Sequence, residues 1–317
     1  MNKNLEIEYK LIARSPILNP IPKDGNYIIP ASSIKGAIRQ VFNRLNSKTN
    51  NRISEDKVFG GRQNDGNFYS SSFYVSDLVC QGVEKNIVIQ NLCFAKIKRN
   101  KPDIESITHQ SALATGSEFL GKIIFNEEPT GFERSVVLSS LLDFQNIGMR
   151  NSLGYGSCDI QILNQTNTIV FFSYSWEDTS HMDWVRKLAM KLMANGLDVL
   201  LDQLSPSFNV NAPQNEINEW MKQCIQNSDK ILAIFTPVYK KKADLGLGGV
   251  GYEYMHLQSE NELISQKLQR YIGVLRKGNL IESVPIEWKN KPIIEMSRIK
   301  EENTFLNELN QVMRAFK

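Results

Sequence analysis

Basic side chains are concentrated in one stretch of the sequence. Residues 10–62 carry ten lysines and arginines against three aspartates and glutamates, a local charge of +7 in a chain whose total is +3. Such a surplus is typical of a surface that binds nucleic-acid phosphates, and it is also what a solvated basic helix face presents. The charge alone leaves both interpretations open.

A glycine-rich segment carries a second candidate motif. Gly246–Gly251 matches the GxGxxG pattern of dinucleotide-binding folds. That pattern requires a strand directly before it and an acidic residue at the end of the next strand, but the preceding predicted strand ends near Phe235 and no acid ends the next one. We therefore interpret these glycines as a flexible approach to a helix.

The sequence offers little for metal or disulfide chemistry. Its four cysteines show no CxxC spacing and its three histidines have no partner cluster. We expect buried thiols, no metal site and no cofactor. The residues are Cys80, Cys93, Cys158 and Cys224, with His109, His181 and His256.

Composition favours a globular protein of two domains. The 317 residues are 41% hydrophobic and 22% charged, without a low-complexity tract. No apolar run approaches the roughly 20 residues of a membrane span, and the first residues lack the apolar region of a signal peptide. We expect a cytoplasmic protein with domains at 1–165 and 166–317.

The first half predicts an α+β domain of ferredoxin-like (RRM-like) type. Strands and helices follow in the order βαββαβ, which places the helices on one face of an antiparallel sheet. The segments 47–70 and 80–115 are expected to be excursions from that sheet. The predicted elements are strands at 4–12, Phe73–Leu78, Glu118–Phe125 and Tyr155–Leu163, and helices at 31–46 and Phe132–Phe144.

The second half predicts an α/β domain with a flavodoxin-like parallel sheet. Strands and helices alternate, so ligands are expected beyond the carboxyl ends of the strands, near Ser173–Asp178, Asp202–Ser207 and Thr236–Glu253. The predicted strands are Thr168–Ser173, Leu197–Leu201, Lys230–Phe235, Tyr271–Leu275 and Pro292–Glu295. The predicted helices are His181–Asn195, Asn215–Gln226, one after Gly251, and Lys300–Phe316.

An ordered set of motifs in residues 1–165 resembles the RAMP superfamily, in particular the backbone subunits of type III CRISPR effector complexes. The motifs are Ile29–Arg39 (IPASSIKGAIR), Phe59–Gly61, Val75–Asp77, Gly116–Gly121 and Gly148–Gly156 (GMRNSLGYG). The resemblance implies a subunit that binds RNA by its backbone and polymerises along it. Guide RNA, complementary target RNA and other RAMP-type subunits are therefore the expected partners.

The same motifs suggest where phosphate would bind. The start of the predicted helix bears Ser33, Lys35 and Arg39, and the glycine-rich turn bears Arg150 and Ser152. Helix amides and cations together can form a phosphate cradle. We expect these five residues to bind RNA.

The RAMP resemblance also carries a departure. RNA-cleaving members have an aspartate just before an Asn-Pro-like pair after the first strand, whereas here Leu18 precedes Asn19-Pro20. Leucine cannot act as a general base or organise a water molecule or metal. We expect RNA binding without cutting, with Asp24 left open as a nearby replacement.

Motifs in residues 166–317 resemble the TIR superfamily and its bacterial SEFIR-like branch. They are Val170–Trp176 (VFFSYSW), Leu197–Asp202, Thr236–Tyr239 and Gly248–Glu253. For enzymatic members, the resemblance implies hydrolysis of the nicotinamide–ribose bond of NAD⁺ by a glutamate on the helix after the third strand. That position is Glu253, which we expect to face a solvent-filled cleft.

This chemistry requires few groups. The nicotinamide leaving group is already cationic, so one carboxylate that stabilises an oxocarbenium-like state can suffice without a general acid or a metal. Tyr174 and Trp176 could contact the cationic ring or simply pack, and Ser175 and Asp202 could bind ribose hydroxyls. Ser173 and Tyr252 complete the expected substrate-binding set.

The combined prediction is an antiphage effector. The first domain would assemble on guide and target RNA and bring TIR domains together, and their NAD⁺ hydrolysis would halt the infected cell. Two alternatives stay open: a non-catalytic TIR adapter, and a first domain that serves only in oligomerisation. The sequence does not distinguish linear from cyclic ADP-ribose as the product.

Overall fold

The computed structural model describes residues 5–18, 21–46, 55–62, 68–81, 90–98, 101–143, 146–147, 154–204, 214–261, 270–288, 291–296 and 312–314. The chain divides into two compact units. Unit 1 comprises Met1–Glu128 and Ser140–Thr166, and unit 2 comprises Pro129–Ser139 and Asn167–Lys317. No helix in the described ranges is long and apolar enough to cross a membrane.

Seven strands of unit 1 form one antiparallel sheet. They are β1 (Glu6–Ala13), β3 (Ile21–Lys23), β4 (Asn26–Ile29), β7 (Phe73–Val75), β8 (Leu78–Cys80), β11 (Glu118–Phe125) and β12 (Cys158–Asn164). Their order is β12-β1-β11-β8-β4-β3, and β7 also pairs with β11. Alternate side chains of β1 are buried, as its sequence pattern predicts.

The described part of unit 1 contains the helices α1 (Ala31–Asn46) and α2 (Glu55–Phe59). A third helix of the first half, α3 (Gly131–Leu142), belongs to unit 2 as far as Ser139. On α1, Ile34, Ile38 and Phe42 recur at helical spacing and are buried. An edge-to-face contact at 5.1 Å joins the rings of Phe42 and Phe59, and a second at 5.3 Å joins Phe59 to Phe73. The predicted α+β class with an antiparallel sheet is confirmed.

Gly121 shows why one glycine of the predicted motifs is needed. It lies opposite Tyr9 on the neighbouring strand β1. A Cβ atom at this position would lie 2.2 Å from Cδ2 of Leu78 and 3.1 Å from the Tyr9 ring. The glycine therefore leaves room for a buried tyrosine.

The segment expected to leave the sheet is more regular than predicted. Residues 90–98 and 101–113 pair as two long antiparallel strands of a separate three-stranded sheet. The sequence predicted irregular structure here because these residues do not alternate simply between apolar and polar types. The strands are β2 (Ile17–Leu18), β9 (Gln90–Lys98) and β10 (Lys101–Leu113), in the order β2-β10-β9. A short hairpin pairs β5 (Gly61–Arg62) with β6 (Phe68–Tyr69).

Unit 2 contains a five-stranded parallel sheet of order β14-β13-β15-β16-β17. The strands are β13 (Ile169–Tyr174), β14 (Asp198–Leu200), β15 (Lys230–Phe235), β16 (Tyr271–Leu275) and β17 (Ile293–Glu295). The helices are α4 (Thr179–Ala194), α5 (Gln214–Asn227), α6 (Pro237–Asp244), α7 (Gly248–Asn261) and α8 (Leu280–Ser283). The predicted flavodoxin-like class is confirmed.

Two helices of unit 2 differ from the sequence prediction or lie largely outside the described residues. The helix α6 was not predicted, although Thr236 caps it by accepting from the N–H of Tyr239 and Pro237 occupies its first turn. The predicted final helix, Lys300–Phe316, lies outside the described residues except at 312–314, which are helical.

A short segment from within the first half of the sequence belongs to unit 2. In Pro129–Ser139, the Arg134 guanidinium bonds to the Asp198 carboxylate at 2.8 Å, and both side chains are buried. Oγ of Ser135 accepts a 2.9 Å hydrogen bond from the N–H of Val199, on the edge strand β14. These contacts satisfy polar groups at the start of β14.

Candidate functional site

A cleft lies at the carboxyl ends of β13 and β14 in unit 2, next to the point between β13 and β15 at which the strand order reverses. Its volume is about 160 Å³. The lining residues come from two strand ends and from α5, α6 and α7. They are Tyr174, Trp176, Asp202, Ile217, Met221, Lys242, Gly249, Val250 and Glu253.

Glu253 is the most perturbed acid of the cleft. Its side chain lines the cleft but is only 6% exposed, which corrects the expectation of a solvent-facing carboxylate. Ser173 Oγ lies 2.5 Å from Oε2 of Glu253, and Tyr239 OH lies 2.9 Å from the same Oγ. Burial raises the Glu253 pKa from about 4.5 to about 8, the Ser173 hydrogen bond opposes this, and the Asp202 charge adds to it.

Asp202 holds the two aromatic residues of the cleft. Its carboxylate accepts 2.5 Å hydrogen bonds from the Tyr174 hydroxyl and from Nε1 of Trp176, and a 2.6 Å bond from the N–H of Gln203. Burial raises the Asp202 pKa to about 6, and these donors oppose the rise. The carboxylate thus orients both rings, in addition to any contact with a ribose.

The two aromatic side chains differ in exposure. Trp176 is 40% exposed and offers its surface to the cleft, whereas Tyr174 is 5% exposed and its ring lies 6.1 Å from that of His181. Contact with a planar cationic ring therefore fits Trp176, while Tyr174 mainly packs.

Three predicted substrate-binding residues do not line the cleft. Ser175 is fully buried, donates to the Glu177 carboxylate and lies 3.3 Å from Oγ1 of Thr236. Tyr252 is half-buried on α7 and is likewise absent from the lining. Ser173 reaches the cleft only through its bond to Glu253.

The glycines before Glu253 form a tight turn that leads into α7. Gly246 and Gly248 have φ values of 65° and 61°, in the left-handed region that favours glycine. A Cβ atom on Gly251 would lie 2.1 Å from the carbonyl carbon of Gly246. The turn leads directly into α7, which carries Glu253 in its second turn.

In unit 1, the three described members of the predicted phosphate cradle lie on α1. Ser33 is exposed in its first turn. Lys35 lies 5.3 Å above the Phe73 ring, and burial together with Arg39 lowers its pKa. Arg39 donates to the Gly60 carbonyl at 2.8 Å and pairs with Glu55 at 3.2 Å.

The start of α1 already holds an anion. The Asp77 carboxylate accepts a 2.9 Å hydrogen bond from the N–H of Ala31 and pairs with Lys23 at 3.1 Å. Arg150 and Ser152, the other predicted members of the cradle, lie outside the described residues. An RNA phosphate at this helix end would therefore meet the Asp77 carboxylate.

The positions tied to RNA cleavage have clear structural roles. Leu18 pairs with Ala112 in the β2–β10 ladder and is 3% exposed. Asp24 and Gly25 have φ values of 50° and 78° in the two-residue turn between β3 and β4, a conformation that favours Asp-Gly. Turn geometry therefore accounts for Asp24, and Asn19-Pro20 lies outside the described residues.

Comparison with protein families assigns both halves of the chain. The RAMP superfamily model matches residues 5–159, and the TIR domain model matches residues 170–306. The chain joins a RAMP domain to a TIR domain. No curated protein matches it.

Several solved structures are similar to parts of the chain. A chain of a type IV-B CRISPR complex is 17% identical, with 58% of this chain and 99% of that chain covered and a TM-score of 0.37. A prokaryotic SEFIR domain is 26% identical, with 47% and 92% covered and a TM-score of 0.36. A chain of a Csm3-Csm4 subcomplex from a type III-A CRISPR-Cas interference complex is 18% identical, with 51% and 77% covered and a TM-score of 0.33.

Sequence reasoning missed several residues that shape the TIR cleft. Lys242 lines it and donates to the Trp176 carbonyl at 3.1 Å, and Tyr239 extends the hydrogen bonds of Glu253 behind it. Ile217 and Met221 on α5 close one side. The run of three lysines at Lys240–Lys242 was the one sequence signal for a cation near the cleft. Tyr239, Ile217 and Met221 gave no signal of their position, because they meet the other residues of the cleft only in the folded structure.

The described residues contain no cluster of His, Cys, Asp and Glu able to hold a metal ion. Three of the four cysteines, Cys80, Cys158 and Cys224, are free and buried, as predicted. The side chain of Cys93 lies outside the described residues.

Proposed function

We propose that the TIR domain hydrolyses NAD⁺ to nicotinamide and ADP-ribose, with Glu253 as the catalytic carboxylate. The observation that carries this proposal is a carboxyl group buried at a cleft that also presents an exposed indole, Trp176, and a cation, Lys242. A substrate with a cationic ring and a pyrophosphate complements these charges.

The reaction needs the ionised form of Glu253. As the bond between ribose C1′ and the nicotinamide nitrogen breaks, its electron pair passes to nicotinamide, which leaves neutral, and positive charge develops on the ribose. A nearby carboxylate stabilises that charge, and water adds to C1′ with loss of a proton. Because a bound cation favours the charged carboxylate, substrate would lower the raised pKa of Glu253.

The test is Glu253→Gln in the full chain, with Glu282→Gln as a control at an exposed acid on α8. We expect NAD⁺ consumption to fall at least about 100-fold in the first variant and to be unchanged in the second. The measurement is nicotinamide release by chromatography, with and without RNA. Wild-type turnover by Glu253→Gln would contradict the proposal.

One observation favours a non-catalytic adapter as the second candidate. Burial raises the Glu253 pKa to about 8, so much of this carboxyl is protonated near pH 7. An adapter has no need of an ionised acid. Failure of the wild-type protein to consume NAD⁺ at pH 9, with RNA present, would support this candidate.

For the RAMP domain we propose binding to the backbone of guide and target RNA together with other RAMP-type subunits. The family assignment and the surplus of basic residues in 10–62 support this. Subunits spaced along one RNA would raise the local concentration of TIR domains and promote their self-association. The resulting loss of NAD⁺ would stop phage propagation in the infected cell.

This proposal is tested by NAD⁺ turnover per subunit against RNA length at fixed protein concentration. We expect turnover to rise from RNA that accommodates one subunit to RNA that accommodates several, and the RNA to remain uncut in the presence of magnesium. Equal turnover without RNA and with every length would contradict RNA-driven activation.

A further inference from the structure

Three buried groups from three elements of the TIR domain form a hydrogen-bonded chain behind the cleft. Tyr239 on α6, Ser173 on β13 and Glu253 on α7 are joined by contacts of 2.9 Å and 2.5 Å. Tyr239 and Ser173 have no exposed surface. Of these three groups, only the Glu253 carboxyl lines the cleft.

The position of Tyr239, the residue farthest from the cleft in this hydrogen-bonded series, is fixed by the start of α6 and by apolar packing. Thr236 caps α6 and accepts a 3.0 Å hydrogen bond from the N–H of Tyr239. The Tyr239 ring lies edge-on to Phe235 at 5.3 Å, so apolar packing holds the ring independently of its hydroxyl. Removal of the hydroxyl alone should leave the ring in place.

The hydrogen bonds among these three groups favour one protonation state of Glu253. The Ser173 hydroxyl donates to Oε2 of Glu253, and the Tyr239 hydroxyl can donate to Oγ of Ser173. Both bonds persist when the carboxyl is protonated on its other oxygen, but the acceptor is then a neutral carboxyl oxygen. A hydrogen bond to an ionised carboxylate is stronger, and a Tyr239 donor behind Ser173 strengthens it further. The arrangement therefore favours the ionised carboxylate.

Other groups act on the same carboxyl from the elements packed around it. Asp202 raises the Glu253 pKa, whereas Lys242 from α6 brings a positive charge to the cleft. Tyr174 also lines the cleft, and burial raises the pKa of its hydroxyl. Burial likewise raises the pKa of Tyr239, which keeps it a neutral donor.

We propose that Tyr239, acting through Ser173, is a positioning residue that favours the ionised form of Glu253 required for NAD⁺ cleavage. The inference rests on the proposed NAD⁺ hydrolase function. Tyr239 touches neither substrate nor reacting atoms and contributes only through the orientation of the Ser173 hydroxyl.

The experiment compares pH profiles of NAD⁺ turnover in the full chain. Tyr239→Phe removes one hydroxyl, and Tyr254→Phe is the matched control, since Tyr254 is also buried but donates to Glu287. We expect the rising limb to move about one pH unit upward in Tyr239→Phe, with near wild-type turnover at its plateau, and to stay in place in Tyr254→Phe. Ser173→Ala should move it further, and Ser173→Thr, which keeps the hydroxyl, should restore it.

A second readout does not depend on turnover. The ¹³C shift of the Glu253 carboxyl, assigned by its loss in Glu253→Gln, reports the titration directly in isotope-labelled protein. It should show the same upward movement in Tyr239→Phe. Equal loss of turnover at every pH, or an unmoved carboxyl titration, would overturn the positioning role.

Failure of the inference and failure of the proposed function give different results. Wild-type turnover by Glu253→Gln removes the proposed function, whatever Tyr239 does. If Glu253→Gln is inactive and the pH profile of Tyr239→Phe matches that of the wild type, the hydrolase proposal stands. Only the positioning role of Tyr239 is then overturned.

Discussion

Charged side chains are held differently in the two domains. In the TIR domain, Glu253 and Asp202 are buried at a cleft, and both have pKa values well above those of ordinary carboxyls. In the RAMP domain, Lys35 and Arg39 remain half-exposed and rest on aromatic rings and carbonyl groups.

The difference fits the function proposed for each surface. A hydrolytic site has to stabilise the charge that develops in the transition state, and it does so with groups held in a dry, preorganised environment. Burial in that environment shifts the pKa values of these groups from their ordinary values. A surface that reads only phosphates needs cations that stay charged in water and whose contribution depends on salt. Burial should therefore determine which substitutions have large effects, and the following variants test that expectation.

The largest effect is expected at the buried ion pair of unit 2. Asp198→Asn removes the carboxylate to which Arg134 donates, and breaking a buried pair costs about 3–5 kcal/mol in the free energy of unfolding. Asp183→Asn is the control, because its pair with Arg186 is about half-exposed and should contribute less than about 1 kcal/mol. Urea denaturation measures both. Similar urea midpoints for the two variants would show that burial does not determine how much an ion pair contributes to stability.

A pH-dependent effect of comparable size is expected at Glu253. Its pKa is raised in the folded protein to about 8 and lies near 4.5 when unfolded, so the native state retains a proton that the unfolded chain loses. Stability therefore falls as pH rises from about 4.5 to about 8. Glu253→Gln does not titrate and should gain stability relative to wild type over this range, on the order of a few kcal/mol at pH 8.

The control for this prediction is Glu282→Gln on α8, which should follow the wild-type pH dependence. Urea midpoints at pH 5, 6.5 and 8 give the comparison. A constant difference between Glu253→Gln and wild type at all three values would show that the carboxyl titrates normally.

In the RAMP domain, Lys35→Ala with Arg39→Ala should weaken RNA binding about tenfold at low salt and equally for all sequences. Loss of two phosphate contacts should reduce the slope of log affinity against log salt by about 2. The control is Lys10→Ala with Lys122→Ala, on residues paired with Glu118 and with Glu6 and Glu8. Fluorescence anisotropy in a salt series measures both pairs of variants. An unchanged slope in the first would identify a basic face that is merely solvated.

The smallest effect is expected for the stability of Lys122→Ala. Lys122 is exposed and pairs with Glu6 and Glu8 in water, where such pairs contribute little. Its urea midpoint should match the wild type within error. A loss comparable to that of Asp198→Asn would mean that burial does not separate the two kinds of charge.

Periodic signals in the sequence predicted most of the fold. Lys230–Phe235 and Tyr271–Leu275 were placed correctly because short apolar runs mark buried parallel strands. The paired strands β9 and β10 were not predicted as regular structure, since their sequences lack a simple apolar alternation.

The candidate site was predicted in part. Glu253, Asp202, Trp176 and Tyr174 do line one cleft, and Ser173 reaches it through Glu253. The burial of Glu253 and its connection to Tyr239 could not be predicted, because both depend on how β13, α6 and α7 meet in three dimensions.

The position of Pro129–Ser139 in unit 2 gives the chain an interleaved order, in which each unit is interrupted by a piece of the other. During synthesis, Arg134 is made 64 residues before Asp198, so the ion pair between them can form only after Asp198 has been added. A gene fragment beginning at residue 167 would encode β14 without Arg134 and Ser135. Unit 2 is therefore built from two separate segments of the sequence, and recombination that moved it intact to another gene would have to transfer both.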